Sequence, residues 1–130
     1  MKEVYDFLKK NGIYFLATVE GNQPKVRPFG TATIFEDKLY IQSSKTKQVA
    51  KQIAVNPKIA ISASTADTWL RIEAEAVEDD RVAPKKQMLD EYPSLRRLYN
   101  ENDPDNVVWY LKNATATIEK FGGEKKIFHF

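Results

Sequence analysis

The chain has 130 residues with 42% hydrophobic and 29% charged content, which suits one soluble domain spanning residues 1–130 around one core. It contains no cysteine, which excludes disulfides, thiolate metal ligands and a cysteine nucleophile. A formal net charge of +2 is too small to favour nucleic-acid binding.

Targeting and metal signals are also missing from the sequence. The opening residues hold no apolar run like that of a signal peptide, and no stretch is long enough to span a membrane. His129 is the single histidine and has no partner at ligand spacing, so no metal site is predicted. We therefore expect a cytoplasmic protein that has no membrane partner.

The first third of the chain reads as a helix followed by strands. Helical spacing of apolar residues predicts a helix over Lys2 to Lys10, which Asn11-Gly12 ends. Ile13 to Val19 is predicted to be a buried strand, and Gln23 to Phe29 a second strand. The second strand carries two prolines, which cannot donate to a sheet ladder, so it should lie at an edge or contain a bulge. Thr31 to Phe35 should continue in an extended conformation.

The stretch from Lys38 to Asn56 begins as a strand and ends as a helix. Ser44 or Thr46 is the predicted N-cap of that helix. Lys45 and Lys47 lie at the helix start, where the macrodipole disfavours cations, and no acidic residue accompanies them. A bound phosphate would resolve this conflict, because helix N-termini, hydroxyls and ammonium groups together bind phosphate. The alternative is a solvated helix with surface lysines.

The second half of the chain is again rich in short strands. Trp69 to Asp79 alternates strictly, with Leu70 and Ile72 on the face opposite Arg71 and Glu73. The other predicted elements are a strand over Lys58 to Ser64, a helical segment over Val82 to Tyr99 with a break near Tyr92-Pro93, strands over Val107 to Leu111 and Thr115 to Phe121 with a turn at Lys112-Asn113, a hairpin turn at Gly122-Gly123 and a strand over Lys126 to Phe130. Hairpin-length connections favour antiparallel pairing, and a closed or partly closed barrel would protect the sheet edges.

Charge is unevenly distributed along the chain. Basic residues dominate from Gln23 to Lys58, and acidic residues dominate from Glu73 to Glu91. A local basic patch on a nearly neutral domain favours a small anionic ligand over a polyanion.

The order of these segments resembles the FMN-binding split-barrel superfamily, whose best-known member is pyridoxamine 5'-phosphate oxidase. The matching segments are IYFLATVEGNQPKVRPF, LYIQSSKTKQVAKQIAVNP, IAISAS and WLRIEAEAV. The small branch of oxidase-related and nitroimidazole-resistance-like proteins is the most similar. The resemblance implies a mainly β fold with inserted helices, an antiparallel split β-barrel of Greek-key type, and FMN bound between the subunits of a homodimer.

The resemblance also implies which residues bind FMN. The strand that passes along the flavin ring matches Arg27, Pro28 and Phe29. The turn that holds the phosphate matches Ser43, Ser44, Lys45 and Lys47, with Lys47 as the principal ligand, and Gln42 is placed to face the ribityl chain or ring. Trp109 matches an aromatic residue that reaches the partner subunit's flavin.

The chain departs from the family pattern in two places, of which the first is a small change that a strand tolerates and the second limits the predicted activity. Ala74 stands where relatives often carry glycine, and the C-terminal residues that bind the substrate phosphate in the true oxidase have no match, so oxidation of pyridoxamine phosphate is not expected. We predict an FMN-dependent oxidoreductase acting on a small-molecule substrate, with a reduced nicotinamide as a possible donor. The alternatives are a flavin carrier or sensor without turnover, and a split barrel that binds haem or a deazaflavin.

Overall fold

A computed structural model describes residues 1–130 and contains eight β-strands, three α-helices and one 3₁₀ helix. In chain order the elements are α1 (Lys2–Asn11), β1 (Tyr14–Glu20), β2 (Gln23–Phe29), β3 (Thr33–Phe35), β4 (Lys38–Ser44), α2 (Gln48–Val55), β5 (Lys58–Ser64), β6 (Thr68–Glu78), α3 (Val82–Glu91), the 3₁₀ helix (Pro93–Arg97), β7 (Asn106–Lys120) and β8 (Lys125–His129). None of the helices combines the length and the apolar character that a membrane crossing needs.

All eight strands form one antiparallel sheet in the order β2-β1-β5-β6-β7-β4-β3, with β8 added to β7. The N-terminal half of β7 pairs with β4, whereas its C-terminal half pairs with β8. β2 lies at one end of this order, as its two prolines predict. The predicted antiparallel split barrel of mainly β structure is confirmed.

The barrel core follows from the alternation of side chains along the strands. On β6, Leu70 and Ile72 are buried whereas Arg71 and Glu73 are exposed, as predicted. Buried Tyr14 on β1 donates a hydrogen bond from its hydroxyl to the Thr31 carbonyl at 2.6 Å. This bond holds the segment between β2 and β3 against the core.

The predicted pair of strands at Val107 to Leu111 and Thr115 to Phe121 is wrong, because β7 is one continuous strand. Between the pairs Glu73–Thr115 and Glu75–Lys112, β7 contains one residue more than β6, so the register of the two strands shifts there. Asn113 adopts a φ of 51° there. A β-bulge therefore absorbs the residues that resemble a turn in the sequence.

The predicted N-cap of α2 is also wrong. Lys47 occupies the N-cap position, and no side chain caps the helix. The Ser44 hydroxyl instead lies 2.8 Å from the Thr46 hydroxyl and accepts a hydrogen bond from the Thr46 N–H. The first N–H groups of α2 are thus left without a side-chain acceptor. By contrast, the predicted break near Tyr92-Pro93 is confirmed, since α3 ends at Glu91.

Candidate functional site

Arg27 places a half-buried positive charge between β2 and α2. Its Nη1 donates to the Leu16 carbonyl at 3.1 Å and to the Thr18 Oγ1 at 2.8 Å, and its Nη2 donates to the Gln52 Oε1 at 2.7 Å. None of these acceptors is charged, and burial lowers the pKa of Arg27. The guanidinium is therefore held firmly in place without a counter-charge.

Gln52 and Thr18 complete this cluster, and sequence reasoning missed both. Gln52 on α2 and Thr18 on β1 are buried, and the Thr18 hydroxyl donates to the Gln52 Oε1 at 2.6 Å. The Gln52 Nε2 donates outward to a carboxylate oxygen of Glu20 at 3.2 Å. One signal was available in the sequence: Gln52 follows Val49 by three residues and so lies on the apolar stripe of α2.

The other two predicted residues of β2 point in different directions from each other. Phe29 is buried, and its ring packs against that of Tyr14 with centroids 6.0 Å apart. Pro28 is exposed and lies opposite Phe15 of β1 on the outer surface of the sheet. Arg27, Pro28 and Phe29 thus do not present one common face.

The turn before α2 contains one paired and one unpaired lysine. Lys45 forms an ion pair with Glu78 of β6, with 2.9 Å between Nζ and Oε2. Lys47 is exposed and has no ion-pair partner. Ser43 and Ser44 are buried at the end of β4. Of the predicted phosphate ligands, Lys47 is therefore the one with an uncompensated charge at the helix start.

Gln42 is buried and bonded within the chain. Its Nε2 donates to the Asn106 Oδ1 at 3.0 Å and to the Ser43 carbonyl at 3.1 Å. These bonds join the end of β4 to the start of β7. The structure therefore places the Gln42 amide N–H groups in the sheet rather than at an open surface.

Trp109 lies in the core of its own chain, with 2% of its surface exposed. Its side chain contributes to a groove of about 330 Å³ beside α2. The groove is also lined by Lys45, Ala50, Lys51, Ile53, Ala54, Ala76 and Glu78. Trp109 is thus buried within its own chain and borders this groove.

The outer surface of β1 and β2 is apolar and uncovered. Cross-strand pairs place six apolar residues on it, which we call the outer apolar face: Phe15, Ala17, Val19, Pro24, Val26 and Pro28. Phe15 is 51% exposed and Val26 is 68% exposed. A groove of about 620 Å³ continues from this face across β5 to Glu73 and Glu75 of β6. Contiguous exposed apolar surface of this kind is typical of interaction sites.

The unpaired cations fit an anionic cofactor such as a flavin phosphate ester. Lys47 begins α2, whose first N–H groups have no side-chain cap, and Gln52 on the same helix binds Arg27. Five residues separate Lys47 from Gln52, so the two positions are roughly 7.5 Å apart along the axis and roughly 140° apart around it. α2 thus carries Lys47 at its start and contacts Arg27 through Gln52, whereas Gln42 and Trp109 face inward.

The antiparallel sheet and its strand order define a split-barrel protein, and comparison with known proteins identifies its family. A family model described as pyridoxamine 5'-phosphate oxidase matches residues 1–118. The chain belongs to this family. No curated protein matches the chain.

Solved structures support the same assignment. A NimC/NimA family protein from Clostridium acetobutylicum is 41% identical, with a TM-score of 0.96 over 100% of this chain and 92% of that chain. A pyridoxamine 5'-phosphate oxidase-related, FMN binding protein from Nostoc punctiforme is 16% identical, with a TM-score of 0.73 over 98% of this chain and 87% of that chain. A heme binding protein from Mycobacterium smegmatis is 15% identical, with a TM-score of 0.72 over 98% of this chain and 56% of that chain. The last two likenesses show the fold alone.

Proposed function

We propose that this protein is an FMN-dependent oxidoreductase that acts on a small-molecule substrate and takes electrons from a reduced nicotinamide. The observation that carries the proposal is that α2 begins at one uncompensated cation, Lys47, and contacts a second, Arg27, through Gln52. The description of the Nostoc neighbour as FMN binding supports this choice of cofactor. Oxidation of pyridoxamine phosphate is not part of the proposal.

The chain's own residues would bind and orient the cofactor. Lys47 and the uncapped N–H groups of α2 bind the phosphate, since a helix start and an ammonium group together favour an anion. Arg27 supplies positive charge to a second anionic part of the flavin. FMN, when bound, supplies the electron transfer between donor and substrate. No serine or carboxylate nucleophile is needed for that chemistry.

A second copy of the chain would complete the site. The outer apolar face leaves Phe15 and Val26 more than half exposed, which is unfavourable in water. Pro28 lies on this face, whereas Arg27, its neighbour on the edge strand β2, directs its side chain to the opposite face. We propose a homodimer whose subunits meet at the outer apolar face, with FMN near the boundary between them.

The first test is the visible absorbance spectrum of the purified protein after it is loaded with FMN and desalted. We expect a flavin spectrum that persists in the wild type and is lost in Lys47→Ala. Lys10→Ala, an exposed lysine on α1, is the matched control and should retain the flavin. A wild-type protein that does not retain FMN would contradict the proposal.

Two further measurements separate the alternatives. Bleaching of bound FMN by reduced nicotinamide under anaerobic conditions would support turnover, whereas no bleaching would favour a carrier or sensor. Haem binding is described for the Mycobacterium neighbour, and added haemin would show it here as a Soret band. The single histidine, His129, is exposed on β8 beside the Thr115 hydroxyl, which disfavours an enclosed haem ligand.

A further inference from the structure

We propose that Gln52 and Thr18 are positioning residues for Arg27, and that Gln52 leaves the guanidinium charge available to FMN because its side chain is neutral. The inference rests on the proposed function, which assigns Arg27 to an anionic part of the flavin. It adds two residues, one on α2 and one on β1, that the family resemblance did not point to.

The first observation is the closed set of hydrogen bonds around the guanidinium. The Gln52 Oε1 accepts from the Arg27 Nη2 at 2.7 Å and from the Thr18 Oγ1 at 2.6 Å. The Thr18 Oγ1 in turn accepts from the Arg27 Nη1 at 2.8 Å. Thr18 is 1% exposed and Gln52 is 6% exposed, so water competes little for these bonds.

The second observation is which edge of the guanidinium remains free. An arginine has five N–H donors in a planar fork. The two bonds of Nη1 and the one bond of Nη2 use three of them. The remaining donors are the Nε–H and one Nη2–H, which lie parallel along one edge and match the oxygens of an oxyanion. The cluster thus orients Arg27 and leaves one edge for a ligand.

The third observation is the absence of a carboxylate at the guanidinium. The Glu20 carboxylate accepts a hydrogen bond from the Gln52 Nε2 at 3.2 Å and forms no ion pair with Arg27. A carboxylate in place of the Gln52 amide would neutralise Arg27 at the same distance. The neutral amide therefore fixes the cation without compensating it.

The test compares Gln52→Glu and Gln52→Met with the wild type. Gln52→Glu keeps an acceptor for Arg27 and Thr18, and the new charge compensates Arg27. It is made together with Glu20→Gln, whose amide donates to the new carboxylate in place of the bond from the Gln52 Nε2, so the protein should stay folded. Gln52→Met removes both acceptor contacts. We expect each variant to bind FMN at least tenfold more weakly, and we expect Gln52→Glu to lower the midpoint potential of bound flavin. Gln23→Glu, which adds the same charge at an exposed position of β2, should bind as the wild type does.

Riboflavin distinguishes the two anionic parts of the cofactor that Arg27 can serve. If Arg27 faces the phosphate, the Gln52 variants should lose affinity for FMN and not for riboflavin. If it faces the ring, they should lose affinity for both, whereas Lys47→Ala should lose affinity for FMN alone. Both patterns support the positioning role.

The outcomes separate this inference from the proposed function. If the wild type retains FMN and Gln52→Glu retains it equally at an unchanged potential, the positioning role is overturned. If the wild type does not bind FMN, the proposed function fails instead. In that case, side-chain NMR of Arg27 tests the positioning role without FMN. Separate, slowly exchanging Nη signals in the wild type that merge in Gln52→Met would support the role. Merged Nη signals in both proteins would overturn it.

Discussion

Asp79 is the clearest case of a charge whose state depends on tertiary contacts. Its Oδ2 accepts hydrogen bonds from the Arg81 Nη2 at 2.8 Å and from the Tyr40 hydroxyl at 2.8 Å. The bonds from Arg81 lower the pKa of Asp79 to about 2. Burial, and secondarily the contact with Asp79, raises the pKa of Tyr40 to about 12. This cluster holds the end of β6 against β4 next to the start of α3.

The lowered pKa of Asp79 predicts how stability depends on pH. Because the folded pKa lies below the ordinary value of 3.8, Asp79 stabilises the fold above pH 4 and loses this contribution as pH falls towards 2. We expect Asp79→Asn to cost about 1–2 kcal/mol at pH 7, since Arg81 is half exposed and partly screened. The difference in the free energy of unfolding between Asp79→Asn and the wild type should become small as the pH approaches 2.

Urea denaturation at a series of pH values measures this effect. Asp37→Asn, at an exposed position of the turn between β3 and β4, should show a much smaller pH-dependent difference from the wild type. If the difference in the free energy of unfolding between the wild type and Asp79→Asn stays constant from pH 7 to pH 2, the carboxylate charge does not cause the destabilisation.

Among the residues of the site, those marked by local charge were predictable. Lys47 follows from the mismatch between a cation and a helix start, which is visible in the sequence. Arg27 is predicted only from the family resemblance, and the sequence does not reveal that its guanidinium lacks an acidic partner. Gln52 was missed because a buried glutamine and an exposed one look the same in the sequence until the fold supplies its partners.

At the scale of single elements, β7 shows how a bulge can resemble a turn. Lys112-Asn113 separates two apolar runs, and this pattern is typical of a hairpin. In the structure the strand continues, with Asn113 at a φ of 51° and its Nδ2 donating to Glu75 at 2.8 Å. Pairing with β6 from Trp109 to Lys120 keeps β7 extended on both sides of the bulge.

The positive φ predicts a residue-specific effect at position 113. Asn113→Val should destabilise the protein by about 1–2 kcal/mol, because a β-branched side chain is strained in the left-handed region. Asn113→Gly should be close to neutral, since relief of strain offsets the lost bond to Glu75. Urea denaturation of both variants measures the difference.

Lys112→Val is the matched control, since the neighbouring residue is exposed and its φ is not positive. If Val is tolerated equally at positions 112 and 113, the left-handed conformation of Asn113 is not maintained in solution.

At the scale of the whole molecule, pairs of strands distant in sequence build the barrel. β1 pairs with β5, and β4 pairs with β7. These pairings bury one surface of β1 and leave Phe15, Ala17 and Val19 on the other, where they join the apolar side chains of β2. The outer apolar face is therefore a product of sheet order as well as of strand composition.

A charged substitution on this face tests the proposed dimer. We expect Val26→Glu to shift the protein to a monomer in sedimentation velocity and to weaken FMN retention, because burying an unpaired carboxylate opposes association. Leu98→Glu is the control, since Leu98 is 71% exposed and lies outside the outer apolar face. An unchanged sedimentation coefficient for Val26→Glu would contradict the proposed interface.

The sequence by itself determined the order of most elements, the restriction of β2 to an edge or a bulge, and the cationic turn before α2. These features depend on hydrophobic periodicity, on the missing N–H of proline and on charges close in the chain, all of which are local. Only the tertiary structure decided that Lys45 pairs with Glu78, that Arg27 is held by Gln52, and that β7 is continuous. Each of these depends on which distant residues become neighbours, and that is set by the packing of the whole sheet and not by any local pattern.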